Sequence, residues 1–136
     1  MFKRIKGRKY NNVIVTIDGI KFDSKRESER YLILKDAQSK RVISELQVHV
    51  KYILIPQITE KYIVHLKTKD KEKVRTVQQP ITYTCDFQYM KDGLLVVEDI
   101  KISAKLIPKE YVLKEKMMLY THNIKIKRVY QSAEPV

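Results

Sequence analysis

The feature that most constrains the fold is a pair of β-strand segments in residues 83–101 that carries charge where strands are usually apolar. β-Forming residues flank an Asp-Gly pair, which supplies the positive φ angles of a tight hairpin turn. Asp86 lies inside the first segment. Side chains alternate faces along a strand, so Asp99 and Lys101 in the second segment share a face, while Glu98 points the other way. Such charges on a sheet are costly unless they bind something. The stretch therefore predicts a site for a divalent metal and a phosphate group.

Length and composition indicate one domain with a polyanionic partner. The 136-residue chain is expected to form a single domain over residues 13–130, between a basic flexible arm (1–12) and a frayed C-terminal tail (131–136). The formal net charge of +12 favours nucleic acid as the partner, although a basic soluble protein would show the same excess. One cysteine, Cys85, excludes an internal disulfide and fits a reducing compartment. No membrane span or signal core is visible, so a cytoplasmic location is expected.

Basic residues are concentrated in three segments that could hold a nucleic-acid backbone. The first is the arm, the second a lysine-rich hairpin tip, and the third the second helix. A solvated loop explains the second segment as well, and a solvated tail explains the first. The residues expected to contact nucleic acid in these segments are Lys3, Arg4, Lys6, Arg8, Lys9, Lys67, Lys69, Lys71, Lys73, Lys109 and Lys114. The three histidines, His49, His65 and His122, are isolated in the sequence and indicate no zinc site.

The order of elements predicts an α/β fold with a mixed sheet flanked by two helices. A hairpin over residues 13–22 precedes a helix that Ser24 caps and that runs to about Ser39. Glu27 completes a capping box, and it also lies on the buried side of the first turn, so it can both cap and serve a site. One half-buried strand over 42–57, a hairpin over 62–77, the charged hairpin, a helix from Pro108 and a strand over 124–130 follow.

The charged hairpin has the residue types that phosphodiester hydrolysis needs. Mg²⁺ is typically held by one or two carboxylates, and it activates water and neutralises charge on phosphoryl oxygens. Asp86 and Asp99 on adjacent strands present such a pair. Lys101 lies on the face of Asp99 and could orient or deprotonate the water, or stabilise the pentavalent charge. An ion-paired strand surface is the alternative explanation of the same pattern.

These residues resemble a known nuclease family. Asp86, twelve residues and then Asp99-Ile100-Lys101 resemble the PD-(D/E)xK motif of restriction-endonuclease-like nucleases, with Thr84-Cys85-Asp86 in place of Pro-Asp. The predicted helix, three strands, helix and strand match the core of that fold. Residues 19–27, with Leu46-Gln47 and 97–101, closely resemble a small phage and prophage family described as Holliday-junction-resolvase-like. The resemblance spans about residues 13–129.

The resemblance implies a metal-dependent DNA endonuclease of phage recombination, repair or replication. It implies Asp86 and Asp99 as metal ligands, Lys101 as the catalytic lysine and Glu27 as the acid that completes the site. Mg²⁺ or Mn²⁺ would be the cofactor, and duplex or branched DNA the substrate, with Gln47 added to the DNA contacts. The resemblance also implies a homodimer and a bacterial host cytoplasm. Glu98 replaces Asp99 as the ligand if a bulge shifts the strand; the shared face with Lys101 favours Asp99.

Two other functions remain compatible with the sequence. A catalytically inactive nucleic-acid-binding protein on the same fold would keep the acids as a structural ion network and would bind DNA in a salt-sensitive way. An RNA-binding domain would use the basic charge and the nine tyrosines, but most of these tyrosines lie at core spacing. Metal-dependent cleavage separates the first alternative from the nuclease, and DNA and RNA retention at several salt concentrations separates the second.

Overall fold

The computed structural model describes residues 13–136, so the basic arm with its five expected DNA contacts lies outside the described residues. Two α-helices and ten strands are formed. In chain order they are β1 (Val15–Ile17), β2 (Ile20–Phe22), α1 (Lys25–Ser39), β3 (Ser44–Val48), β4 (Lys51–Ile55), β5 (Ile58–His65), β6 (Asp70–Gln78), β7 (Ile81–Thr84), β8 (Phe87–Lys91), β9 (Leu94–Ile100), α2 (Lys109–His122) and β10 (Lys127–Val129).

A four-stranded sheet lies at the centre, in the order β10-β9-β8-β3. β3 and β9 each pair antiparallel with β8, whereas β10 pairs parallel with β9. The fold is therefore mixed α/β with two helices, as predicted. Other strands form three separate two-stranded sheets: β1 with β2, β4 with β7, and β5 with β6.

The helices bury the two apolar clusters of the described chain. Tyr31 and Leu34 of α1 pack with Phe22 and Phe87, and Tyr111 and Met118 of α2 belong to a second cluster. Val97 lies in the α2 cluster, while its neighbours on β9, Val96 and Ile100, adjoin the α1 cluster. Alternate residues of β9 therefore pack against different helices, because successive side chains of a strand point to opposite faces of the sheet. Neither helix of residues 13–136 is long and apolar enough to cross a membrane.

Helix α1 begins as its sequence predicts. The Ser24 hydroxyl accepts a hydrogen bond from the Glu27 backbone N–H at 3.1 Å, which satisfies a donor that the first turn leaves free. Tyr31 and Leu34 are buried, and Glu27 is buried with them. The helix thus brings a carboxylate to the sheet.

Two long predicted strands are each interrupted, and the two interruptions lie opposite each other. This corrects the sequence-based prediction. The strand predicted over 42–57 is β3 followed by β4, and the first strand of the charged hairpin is β7 followed by β8. His49, just after β3, has a φ of 54°, in the left-handed region that few non-glycine residues adopt. Its N–H donates to the carbonyl of Asp86 at 3.1 Å, and the N–H of Cys85 donates to the carbonyl of Val50 at 3.0 Å. The β3–β8 pair and the β4–β7 pair therefore continue one into the other across a bend. Asp86 lies at this bend rather than inside a strand.

The predicted lysine-rich hairpin is confirmed as a two-stranded ribbon, β5 and β6. Its residues pair from Ile58 with Gln78 to His65 with Asp70. No residue of the ribbon is buried. Lys67 and Lys69 lie at its turn, and Lys71 and Lys73 lie on β6.

The C-terminal residues are not the frayed tail that the sequence predicts. The guanidinium of Arg30 on α1 donates to the backbone carbonyls of Ser132, at 3.1 Å, and Glu134. Val136 packs against the α1 cluster. Residues 131–136 have no regular secondary structure, but their backbone oxygens provide acceptors for a buried arginine.

Candidate functional site

The bend joins Asp86 to the end of β9 through reciprocal hydrogen bonds. The backbone N–H of Asp86 donates to Oδ1 of Asp99 at 2.9 Å, and the backbone N–H of Ile100 donates to Oδ2 of Asp86 at 2.8 Å. These two bonds fix the carboxylates of neighbouring strands beside each other. The adjacency expected for Asp86 and Asp99 is therefore present.

On the α1 side, Asp86 meets Glu27 and a histidine. The Nε2 atom of His49 is 2.8 Å from Oε1 of Glu27. One ligand atom each from Glu27, His49 and Asp86 lies within 4.8 Å of the others. Two carboxylates and an imidazole at this separation could hold a metal ion.

His49 is the site residue that sequence reasoning missed. The sequence predicts isolated histidines, and for His49 this is wrong, because the bend carries its ring to an acid 22 positions earlier. A left-handed residue inside an alternating strand pattern leaves no clear trace in composition. The polar residue Asp86 inside an otherwise apolar strand pattern was the signal available in the sequence for an irregularity at this position.

Asp99 lies on the other side of Asp86, among aromatic residues. Its carboxylate is 3% exposed, and it accepts hydrogen bonds from the Tyr83 hydroxyl and the Asp86 N–H, one at each oxygen. The Tyr111 hydroxyl is also buried, and it has no hydrogen-bond partner among residues 13–136. Burial, followed by the charge of Asp99, raises the pKa of both tyrosines, so both hydroxyls stay protonated at neutral pH.

A cleft of about 270 Å³ opens beside this second group. Asp86, Asp99 and Lys101 all line it, together with Tyr111 and Lys114 of α2. The ammonium of Lys101 lies 3.7 Å from the centre of the Tyr111 ring, a cation–π contact that holds the lysine at the cleft. Both carboxylates therefore share one opening with Lys101 and with the ion pair of Lys114 and Glu110. Lys101 could contact an anion bound next to a cation there.

Glu98 lies outside this cluster, on the opposite face of β9 from Asp99. Its side chain is 0% exposed and points to the α1 side of the sheet. The guanidinium of Arg30 donates to its two oxygens at 2.6 and 3.0 Å, and the Tyr89 hydroxyl donates at 2.8 Å. No bulge shifts β9, because its pairing with β8 is continuous. Asp99 therefore faces Asp86, and Glu98 is the partner of a buried arginine.

The electrostatics of the cluster favour a bound cation. Burial, together with the nearby charges of Asp99 and Glu27, raises the pKa of Asp86 to about 8. Asp86 therefore carries both a desolvation cost and the repulsion of two neighbouring carboxylates. A divalent cation would remove that repulsion, so the donor set fits such an ion.

The expected DNA contacts among residues 13–136 are distributed over four places. Lys114 lines the cleft, and its ammonium is 3.4 Å from Glu110. Lys109 is exposed at the start of α2, and the lysines of the ribbon lie apart from the cleft. Gln47 is exposed on β3, opposite Gln88. The structure thus brings one of the described expected contacts to the acidic site.

The fold and the site define a mixed α/β protein with carboxylates, a histidine and a lysine collected at a bend of its sheet. The chain belongs to the family described as a protein of unknown function (DUF1064), whose model matches residues 7–134. Comparison with curated proteins and with solved structures gave no match.

Proposed function

We propose that this protein is a metal-dependent DNA endonuclease with a restriction-endonuclease-like core. One observation carries the proposal: Asp86 at the strand bend has Glu27 on one side and Asp99, with Lys101, on the other. Asp86, Asp99 and Lys101 are the residues that resemble the PD-(D/E)xK motif, and Glu27 is the helix acid that the resemblance adds. The order α1, β3, β8, β9, α2, β10 supports the same core.

The residues divide the work of cleaving a phosphodiester between them. Glu27, Asp86 and Asp99 would hold a divalent cation, Mg²⁺ or Mn²⁺, which supplies charge neutralisation and a more acidic bound water. Lys101 points into the cleft, where its ammonium can contact a phosphoryl oxygen or position the attacking water. Lys114 lies at the same opening, where its charge is shared with Glu110 at 3.4 Å.

The DNA backbone would be held outside the cleft by exposed basic residues. The net charge of +12 makes the binding of a polyanion favourable before any specific contact forms. The ribbon supplies Lys67, Lys69, Lys71 and Lys73 at a distance from the acids. This arrangement separates backbone binding from cleavage, and phage recombination, repair or replication on duplex or branched DNA is the role we propose.

One observation favours a second function, nucleic-acid binding without cleavage. Both oxygens of Asp99 already accept hydrogen bonds from Tyr83 and Asp86, as expected for a structural carboxylate. In that case the acids would support the fold, and the basic surface alone would be functional.

A cleavage assay separates the two functions. The wild-type chain is incubated with branched, flap and linear duplex DNA in Mg²⁺ or Mn²⁺, and strand breaks are counted on denaturing gels. We expect cleavage by the wild type and a loss of at least about a hundredfold in Asp86→Asn and Lys101→Ala, since each removes a group that acts on the reacting phosphate.

Two variants serve as matched controls. Asp92→Asn changes an exposed aspartate at the β8–β9 turn, and Lys105→Ala changes an exposed lysine outside the cleft. Both should cleave at the wild-type rate. Cleavage that survives in Asp86→Asn and Lys101→Ala would refute the site, and DNA binding without any cleavage by the wild type would support the second function.

A further inference from the structure

We propose that Glu27, His49 and Asp86 bind a first-row transition-metal dication, with the His49 imidazole as a nitrogen ligand. The inference rests on the metal requirement of the proposed function and defines which ion the site prefers. It adds a ligand that the PD-(D/E)xK resemblance does not supply. Its evidence is the position of one ring, which is independent of the cleft around Lys101.

The separation of the donor atoms suits a shared ion. Neighbouring ligands at about 2.1 Å from an octahedral metal are roughly 3 Å apart, and opposite ligands are roughly 4.2 Å apart. Nε2 of His49 and Oε1 of Glu27 are 2.8 Å apart, and the three ligand atoms lie within 4.8 Å of one another. A small closing movement would therefore bring all three into contact with one ion.

The imidazole is held in place while its edge remains accessible. Its ring centre is 5.9 Å from that of Phe22, and its backbone N–H donates to the Asp86 carbonyl. The His49 side chain is 38% exposed, whereas that of Glu27 is 10% exposed. An ion can thus enter from solvent and meet a ligand set that the core already orients.

The chemistry of the donors selects the kind of metal. Mg²⁺ prefers oxygen ligands and retains most of its water, whereas imidazole nitrogen suits Fe²⁺, Zn²⁺ and other first-row transition-metal dications, of which Mn²⁺ binds most weakly. Replacing one oxygen ligand with a nitrogen therefore shifts the preference away from Mg²⁺. The site should bind Mn²⁺ more tightly than Mg²⁺, and this preference should depend on His49.

The chain contains a matched control for this histidine. Nδ1 of His65 on the ribbon is 2.8 Å from Oδ1 of Asp70, the same kind of contact that His49 makes with Glu27. Within residues 13–136, His65 belongs to no group of three potential ligands. A histidine–carboxylate pair without a third ligand should contribute nothing to metal affinity.

The test measures Mn²⁺ binding to the full chain without DNA. Electron paramagnetic resonance gives the affinity, competition gives that of Mg²⁺, and spin-echo modulation detects a nitrogen bound directly to Mn²⁺. The wild type should show nitrogen coupling. His49→Asn, which suits the left-handed backbone, should lose it together with at least about tenfold in Mn²⁺ affinity. Mg²⁺ affinity should change less, and His65→Asn should match the wild type.

Several results would overturn the inference. These are no Mn²⁺ binding by the wild type, Mn²⁺ binding without nitrogen coupling, or equal weakening of Mn²⁺ and Mg²⁺ in His49→Asn. Circular dichroism verifies folding, and His49→Gly provides a second variant that tolerates the positive φ. Nitrogen coupling in a protein that cuts no DNA would refute the nuclease and leave this site standing; cleavage by a protein without the coupling would do the reverse.

Discussion

Glu98 and Asp99 are adjacent acids with opposite environments. Glu98 is enclosed with Arg30 and Tyr89 under α1, whereas Asp99 accepts hydrogen bonds from Tyr83 and Asp86 on the α2 side. A buried charge that loses its partner is strongly destabilising, whereas a charge close to like charges favours an added cation. Neutralising Glu98 should therefore lower the stability of the protein, whereas neutralising Asp99 should weaken the binding of a cation.

Glu98→Gln is expected to lower the free energy of unfolding by about 3 kcal/mol, because it leaves the Arg30 guanidinium buried without a counter-charge. Chemical denaturation measures this loss. Mn²⁺ affinity of the folded variant should stay at the wild-type value. Glu60→Gln is the matched control, since it neutralises the partner of Arg75 in an exposed pair and should cost about 1 kcal/mol or less. Equal losses in the two variants would contradict the role of Glu98.

At the scale of elements, the bend in the long strand pair positions the site. The helix start at Ser24, the buried face of α1 and the mixed α/β class with two helices follow from local patterns, and they are confirmed. The bend is not local. It depends on pairing between His49 and Asp86, 37 positions apart by their numbers, and the alternation of β3 and β4 reads as one strand. The acids could thus be predicted from the sequence, and the imidazole beside them could not.

The ribbon is a second element whose structure adds to its sequence. Cross-strand pairing places Lys71, Lys73 and Arg75 on one face, with the Arg75 guanidinium 5.0 Å from the centre of the Tyr62 ring. Lys61 lies on the opposite face, with the acids Asp70 and Glu72. The lysine-rich tip that the sequence suggests is therefore a ribbon with one basic face and one mixed face.

This asymmetry predicts that only one face binds DNA. The double variant Lys71→Ala/Lys73→Ala should weaken duplex binding and reduce the slope of log K against log salt by about 1.8, the value for two lost phosphate contacts. Fluorescence anisotropy in EDTA measures binding without cleavage. The double variant Lys61→Ala/Lys105→Ala removes the same charge and should leave the slope unchanged. Equal slope changes in both double variants would show that net charge alone acts.

At the scale of the whole molecule, the positive net charge attracts a polyanion, whereas the carboxylates at the site attract a cation. The excess of positive charge that favours a polyanion belongs to the entire chain, whereas the carboxylates are collected at one point of the sheet. The composition predicts the positive net charge, and the spacing of the motif predicts Asp86 and Asp99 at the site. The anchoring of residues 131–136 to Arg30 could not be predicted from the sequence. The acceptors are backbone carbonyls, and every residue has one, so they leave no sequence signal.

The raised pKa of Asp86 makes the stability of the metal-free protein depend on pH. An unfolded aspartate has a pKa near 3.9, and that of folded Asp86 is about 8. Between these values the folded state holds more protons, so the free energy of unfolding should fall as pH rises, by up to about 1.4 kcal/mol per pH unit. Asp86→Asn should remove this contribution, as measured by urea unfolding in EDTA from pH 5 to 8. Asp92→Asn should follow the wild type; parallel curves for Asp86→Asn and the wild type would refute the prediction.

The contacts of Arg30 with Ser132 and Glu134 also bear on biosynthesis. They join residues 102 and 104 positions apart, so α1 emerges from the ribosome long before its last acceptors exist. Contacts over such separations form late, because a long loop must close first. Arg30 sits one turn after Glu27, so the helix that carries this acid is fully anchored only when residue 134 has been translated. A nascent chain would therefore complete the anchoring of its acidic site only after residue 134 has been translated.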